Sequence, residues 1–375
     1  MKTRVLVYGL GGKIGGMEEY LLNLYRHVDQ TQIAFDIIPH GGADFYAADE
    51  VNRMGGEIYP VFGEDHSFSR KRLNEVLKNE RSRHQVIYFN VCALYRLDPF
   101  VMAKRYHYPM VVHSHNTMDP GRGIIANDIH RMNRLLVRNW SDKCFACSSA
   151  AGEWLFGEKY FHSKSKCSVI NNAIDLDEHK FNCDSRVKVR REFGLSDSKK
   201  VFLSVGRLVD QKNQQFSIRI FSRILKKEPD SCLILVGEGP NEQILRKLSM
   251  ELGIEDSVIF TGSRTDVNDI MCAADLLLLP SLYEGFGIVA IEAQASGLPI
   301  LASSKIPDEA VVLQSLVKRM SLDSDVEKWS ECAIKQIQPL HERTSHNSEL
   351  SLAGYNANLL AKNMQIFFQG YNNEQ

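Results

Sequence analysis

The sequence predicts an α/β protein made of two doubly wound, Rossmann-like domains whose parallel sheets face each other across a cleft. Three observations carry this. Short apolar runs of strand length alternate with stretches of helical periodicity, the pattern of a parallel sheet covered on both faces. The chain has 375 residues, about twice the length of a typical single domain. The alternation loosens around Asn171 to Lys200 into polar, irregular sequence and then resumes.

In the first domain, taken as 1–175, strands are expected at Val5 to Tyr8, Ala34 to Ile38, Glu57 to Val61, Val86 to Phe89, Met110 to His113, Lys143 to Ala146 and Ser168 to Ile170. Helical periodicity fills the gaps, notably at Met17 to His27, Ser69 to Arg83 and Asp128 to Asn139. The second domain, taken as 176–351, repeats the rhythm with strands at Val201 to Val205, Leu233 to Val236, Val258 to Phe260, Leu276 to Leu279 and Ile300 to Ala302. A last helical stretch, Leu352 to Phe368, follows the second sheet, so the segment 352–375 is expected to join the first domain and pack across both. Two such domains would hold a ligand in the cleft at the C-terminal ends of their strands.

The stretch LLLLPSLYEGFGIVAIEAQASGLPILAS, Leu276 to Ser303, is a βαβ unit with two carboxylates. Glu284 precedes the helix and Glu292 lies inside it, so the helix N-terminus falls between them. That terminus offers free N–H groups and about half a positive charge, which suits a phosphate. Carboxylates on either side accept hydrogen bonds from sugar hydroxyls. A diphosphate flanked by two sugars, a nucleotide sugar, fits this arrangement.

Composition narrows the class. With 44% hydrophobic and 24% charged residues the chain is an ordinary globular protein, and its net charge of −1 speaks against a nucleic-acid partner. The apolar run in MKTRVLVYGLGG is too short for a secretory signal, and no window reaches the length of a membrane span. Eight cysteines without such a signal indicate a reducing, cytoplasmic setting. Cys144 and Cys147 form an isolated C-x-x-C inside an apolar run, which reads as buried thiols rather than a zinc site. The loop GLGGKIGG, Gly9 to Gly16, has Ile14 where a dinucleotide fingerprint needs glycine. It also lacks the spacing and the Ser or Thr of a P-loop. Gly15 and Gly16 would instead let backbone approach a ligand closely.

Eight segments in order resemble the family 4 type of retaining glycosyltransferase, which has the two-domain GT-B fold. They are Gly15-Gly16 before Glu18; HSHNT, His113 to Thr117; CSSAAGEWLFG, Cys147 to Gly157; VINNAIDLDEHKF, Val169 to Phe181; SVGRLVDQKN, Ser204 to Asn213; LVGEGP, Leu235 to Pro240; VIFTGSRTDV, Val258 to Val267; and the unit carrying Glu284 and Glu292. HSHNT and the segment SSKIPDEA point toward the bacterial exopolysaccharide and capsule transferases. The resemblance implies that Arg207 and Lys212 act on the donor diphosphate. Fixed cations there would favour the transition state, because the leaving group gains negative charge. It also implies that such a pair replaces a divalent metal, with no Asp-x-Asp of the metal-holding kind expected.

On the same resemblance, Glu292 would hold the ribose and Glu284 the transferred sugar, with the N–H groups of Phe286, Gly287 and Ile288 facing the phosphates. The loop Gly262 to Arg264 would cradle the base, mostly through backbone, while Glu238 would be structural. His115 would sit near the transferred sugar, hydrogen-bonding a hydroxyl or supporting charge, with His113 as an alternative or supporting partner. No cofactor is implied. The partners implied are a nucleotide-diphosphate sugar, with a UDP-sugar favoured, and a saccharide or lipid-linked acceptor.

The acceptor side is less determined. Basic residues on Ser69 to Arg83 (Arg70, Lys71, Arg72, Lys78, Arg81, Arg83) and on Asp128 to Asn139 (Arg131, Arg134, Arg138) would suit either plain solvent or a peripheral contact with the inner face of an anionic membrane. Two other functions share the fold: an epimerase or phosphorylase-like enzyme, and a non-catalytic nucleotide-sugar-binding partner subunit. A phosphorylase would need a lysine context for pyridoxal phosphate, which is not seen, and the five residues Glu284, Glu292, Arg207, Lys212 and His115 together argue against the subunit.

Overall fold

The structure, a computed structural model, describes residues 2–11, 15–39, 47–62, 67–117 and 123–371. Gly12, Lys13 and Ile14 of the glycine-rich loop lie outside the described residues. The chain divides into two compact units, Met1–Ala173 with Asn356–Gln375, and Ile174–Tyr355.

The first unit alternates β1 (Thr3–Leu10), α1 (Gly16–His27), β2 (Ile33–Pro39), α2 (Ala48–Arg53), α3 (Arg70–Asn79), β3 (Val86–Val91), α4 (Asp98–Arg105), β4 (Met110–Ser114), α5 (Gly123–Trp140), β5 (Lys143–Ala146), α6 (Ser149–Phe156), α7 (Glu158–Ser163) and β6 (Cys167–Val169). Its sheet has the order β2-β1-β3-β4-β5-β6, every pair parallel. The strands read as near-continuous apolar runs because helices cover both faces. Successive strands run outward to either side of β1 and β3, so the order reverses there. Such a switch point leaves a crevice at the strands' C-terminal ends.

The second unit contains α8 (Cys183–Glu192), β7 (Lys200–Val205), α9 (Gln214–Lys227), β8 (Ser231–Val236), α10 (Glu242–Glu251), β9 (Val258–Gly262), α11 (Val267–Ala273), β10 (Leu276–Leu279), α12 (Ile288–Ala295), β11 (Ile300–Ser303), β12 (Val317–Met320), α13 (Val326–Gln336) and α14 (Asn347–Leu352). Its order, β12-β11-β10-β7-β8-β9, is again all parallel, with the switch between β10 and β7. Phe202, Leu233, Leu276, Leu278, Leu301 and Trp329 form its core. The last helix, α15 (Ala357–Gly370), is part of the first unit. There Ala361, Met364 and Phe368 join Val5, Val7, Tyr25, Phe35 and Tyr88 in one core.

Several elements differ from expectation. The run 57–61 makes no sheet strand: Ile37 exchanges two backbone bonds with Glu57 and Tyr59, and then Pro60, which has no N–H, follows. A sixth strand, β12, was not foreseen in VKRM, whose Lys318 and Arg319 are exposed at the sheet edge. The loose stretch 171–200 includes α8, whose Arg186 and Arg190 are buried against α11 and bond Asp275 at 2.8 and 2.9 Å. The C-terminal helix starts later than expected: Leu352 ends α14, Gly354 follows with φ +89°, and α15 begins only at Ala357.

Candidate active site

In the second unit, the loops that follow the neighbouring strands β7 and β10 are joined directly. Leu282 N–H donates to Gln211 O at 2.8 Å, Gln211 Nε2 to Tyr283 O at 3.1 Å, and Asn213 Nδ2 to Pro280 O at 3.1 Å. This stitching brings Lys212 onto Glu284: its ammonium donates to both carboxylate oxygens, at 2.7 and 2.9 Å. Ser281 Oγ adds a third hydrogen bond to Glu284, at 2.6 Å. The Glu284 side chain is only 4% exposed, so the pair is largely desolvated. Arg207, at the start of the same loop, is exposed.

Helix α12 starts immediately beyond. Gly287 is its N-cap with φ +85°, a left-handed conformation that glycine adopts without strain. The first N–H groups of a helix have no intrahelical partner, which leaves this end electropositive. Phe286 is buried and stacks on Tyr355 at 5.7 Å, anchoring the loop. The helix itself is held by Gln294, whose amide donates to Ala290 O and Ala310 O and accepts from Val312 and Leu313 N–H. Glu292, one turn in, faces His179 Nε2 at 3.7 Å, both side chains partly exposed.

Gly262, with φ +68°, accepts a bond from Gly237 N–H at 2.8 Å. Glu238 accepts from Ser263 N–H at 3.3 Å and, through its carbonyl, from Leu208 N–H at 2.8 Å. It ties together the loops after β7, β8 and β9, the structural part expected of it. The guanidinium of Arg264 is engaged by Glu192 and Asp266. Two Asp-x-Asp pairs do occur. In the first, Asp175 accepts from the N–H groups of Asp177 and Glu178; in the second, Asp323 accepts from Ser321 Oγ and Asp325 caps α13 through Glu327 N–H, so each pair is engaged by its own local chain.

In the first unit, His115 follows β4 and His113 lies within it, their rings 4.1 Å apart. His115 Nε2 meets Asn90 Oδ1 at 2.8 Å, and the Asn90 amide is oriented by Nδ2 donating to Tyr88 O at 3.4 Å. The proton therefore belongs on Nε2, and Nδ1 is a buried acceptor with no hydrogen-bond partner among the described residues. Burial pushes the His115 imidazole down to about 3, so the ring is neutral at neutral pH. His113, fully buried, bonds Tyr88 OH at 2.5 Å and is also held neutral, by burial first and then by His115.

Gly15 caps α1, and a Cβ there would lie 2.7 Å from Glu18 Oε2; at Gly16 it would meet open space. Glu18 folds back to accept Gly11 N–H at 3.0 Å. Ser281, His179, Asn90 and Tyr88 were not singled out from sequence. They occupy positions next to singled-out residues only in three dimensions, apart from Ser281, which directly follows β10 and Pro280. Cys144 and Cys147 are buried, and among the described residues neither forms a disulfide.

Two successive all-parallel, six-stranded units with polar residues gathered at their switch points define the GT-B class of proteins. Residues 14–178 match the family Glycosyltransferase Family 4, and residues 185–347 match Glycosyl transferases group 1. The two matches run through nearly the whole chain, which belongs to this glycosyltransferase family. EpsF of Bacillus subtilis, named a glycosyltransferase, is 27% identical over 88% of this chain and 86% of its own. The Escherichia coli UDP-Gal:alpha-D-GlcNAc-diphosphoundecaprenol alpha-1,3-galactosyltransferase is 32% identical over 38% of this chain and 37% of its own. Anabaena HepE, solved in complex with UDP and glucose, superposes with a TM-score of 0.75 over 99% of this chain and 98% of that one, at 19% identity. That identity speaks for the fold alone.

Proposed function

We propose that the protein transfers a sugar, with retention of anomeric configuration and without a metal ion, from a nucleotide-diphosphate donor to a saccharide or lipid-linked acceptor. A UDP-sugar is the favoured donor. The setting is bacterial cell-surface polysaccharide synthesis, on the cytoplasmic side of the membrane. The observation that carries the reading is the Lys212–Glu284 pair beside the N-terminus of α12. Lys212 has three N–H groups and gives two to Glu284, which leaves one for a phosphate oxygen. Arg207 supplies the second cation. Both act on charge that grows as the glycosidic bond breaks, so they lower the barrier rather than merely bind.

The N–H groups of Phe286, Gly287 and Ile288 receive the phosphates, Glu292 the ribose hydroxyls and Glu284 hydroxyls of the transferred sugar. The backbone of Gly262 to Arg264 meets the base, and Gly15 and Gly16 leave room for the donor. His115, neutral, offers a hydrogen bond to the sugar. The departing phosphate oxygen takes the acceptor's proton on the face where the new bond forms, so no enzyme carboxylate acts as nucleophile. HepE was solved with UDP and with UDP-glucose, and the Escherichia coli relative is named for UDP-Gal and a diphosphoundecaprenol-linked acceptor. Both support the donor and acceptor classes proposed.

A thermal-shift screen against UDP-, GDP- and ADP-sugars, followed by calorimetric titration, tests the assignment. Glu292→Ala is expected to weaken binding of the free nucleoside diphosphate, and Glu284→Ala only that of the sugar-bearing donor. The reverse pattern overturns the orientation. Tight binding of one donor with neither transfer nor hydrolysis would mean a binding subunit instead.

A further inference from the structure

The sequence pairs Cys144 with Cys147, and the strand geometry undoes that pairing. Cys144 lies in β5, and Cys147 continues its line, with its N–H donating to Ser114 O on β4 at 3.0 Å. Residues three apart on an extended chain lie about 10 Å from each other and face opposite sides of the sheet. A disulfide needs Cα atoms within about 7 Å. These two thiols therefore cannot meet while β5 is formed.

The topology supplies a different mate. Strand β6 lies beside β5 at the edge of the first sheet, and in their parallel register Cys144 stands opposite Cys167. Registered residues of neighbouring strands share a face of the sheet, with Cα atoms about 4.8 Å apart. That spacing falls inside the window of about 4.4–6.8 Å that disulfides occupy. The two thiols already hydrogen-bond to each other. Their Cβ atoms, spaced much as the strands are, must close by roughly 1 Å or less to allow a bond. Strand β6 has three residues, none of them fully buried, and a single neighbour, so it can supply that shift.

The surroundings give the two thiols different parts. Cys144 is fully buried, whereas Cys167 is half-buried, its Sγ 4.0 Å from Tyr160 O. Burial, the largest effect, raises both thiols, Cys144 to about 12. At Cys167 the Cys144 thiol and then Lys166 and Lys164 pull the other way. Cys167 is thus the accessible entry point and Cys144 the resolving thiol behind it.

We infer that Cys144 and Cys167 form a site of reversible oxidation, at which a small disulfide such as oxidised glutathione converts the two thiols into a bond across the β5–β6 edge. The Cys167 thiolate attacks the glutathione disulfide, forming a mixed disulfide and releasing one glutathione thiolate. The Cys144 thiolate then attacks the Cys167 sulfur and releases the second. The two protein protons pass to the two glutathiones, so two thiols are oxidised while one disulfide is reduced. The bond closes a loop that carries α6 and α7 between the two strands. In a reducing setting such a bond is transient, as in a redox-sensing pair. The inference does not depend on the donor assignment above.

The test incubates the folded full chain with oxidised glutathione, alkylates the remaining thiols and locates the links by fragmentation mass spectrometry. The expected product is a Cys144–Cys167 link, formed with loss of the two thiol hydrogens and reversed by dithiothreitol. Its formation should raise Tm by on the order of 5 °C. Cys147→Ser should form the same link, and Cys167→Ser should leave Cys144 reduced. A link from Cys147 to either partner overturns the inference, as does a Cys167 that halts at the glutathione adduct or a pair that stays reduced in excess oxidant. A linked protein whose Tm is unchanged or lower overturns it too, because the bond would then not hold the strands together.

Discussion

Lys212 and Arg207 were expected to act alike, and their surroundings separate them. Lys212 neutralises Glu284, whose carboxylate is nearly inaccessible, so Lys212→Ala strands a buried charge. We expect a loss of about 3 kcal/mol, because breaking one side of a buried pair costs more than the pair contributes. Turnover should fall on the order of hundredfold as well. Arg207 is exposed and makes no ion pair among the described residues, so Arg207→Ala should lower turnover similarly and leave Tm unchanged. Melting curves beside initial rates distinguish the two, and equal Tm values would contradict the desolvated pair. The imidazole of His115 makes a second residue-scale prediction. Its folded value, about 3, lies below the ordinary imidazole value of about 6.5. Between these the unfolded chain binds a proton that the folded chain refuses, so stability is full above about pH 6.5 and is lost as pH falls toward 3, by up to about 1.4 kcal/mol per pH unit. Urea midpoints measured down that range should fall less steeply for His115→Gln.

At the scale of elements, the site exists because two strands exchange neighbours. Gly9, at the end of β1, has φ +124°, and a Cβ there would lie 1.8 Å from Asn90 O on β3. The close approach fixes Asn90, and Asn90 fixes His115. Gly9→Ala should therefore push the two strand ends apart and lower Tm by on the order of 5 °C or more; an unchanged Tm would show that the strand ends tolerate separation. This connection explains what could be read from sequence and what could not. Glu284 and Glu292 were read from the local βαβ pattern, and Lys212 and His115 from local motifs of the family resemblance, because each such motif is contiguous in sequence. The Lys212–Glu284 and Asn90–His115 contacts join residues 72 and 25 positions apart, and only strand order makes them neighbours. Composition misled where polar residues are structural. Arg186 and Arg190 of α8 are buried on Asp275 and the carbonyls at the end of α11, with Arg343 bonding the same end, so a well-packed helix read as irregular sequence. The strand β12 was missed for the same reason, since edge strands tolerate charge.

At the scale of the whole molecule, the chain leaves the first unit at Ala173 and returns to it at Asn356. Ile174 N–H donates to Tyr355 O at 3.0 Å, so the outgoing and returning segments run side by side. The returning helix α15 completes a core that was otherwise formed nearly two hundred residues earlier. Phe368 is fully buried and packs edge-on against Phe35 and Tyr88, at 5.8 and 5.3 Å. Asn356 caps the helix through the N–H groups of Asn358 and Leu359, which fixes where it starts. The first unit thus cannot finish folding until the second has been synthesised. Phe368→Ala removes a ring that neighbouring strands and α1 cannot replace, and should cost about 3–5 kcal/mol. Because the core of the second unit shares none of these residues, the loss should appear in one unit only. Hydrogen exchange gives the decisive readout: amides of β1, β2 and β3 should lose protection in Phe368→Ala while those of β7, β8 and β10 keep theirs. Uniform loss across both sheets would mean that the two cores unfold as one, and the division into separately stabilised units would then be wrong.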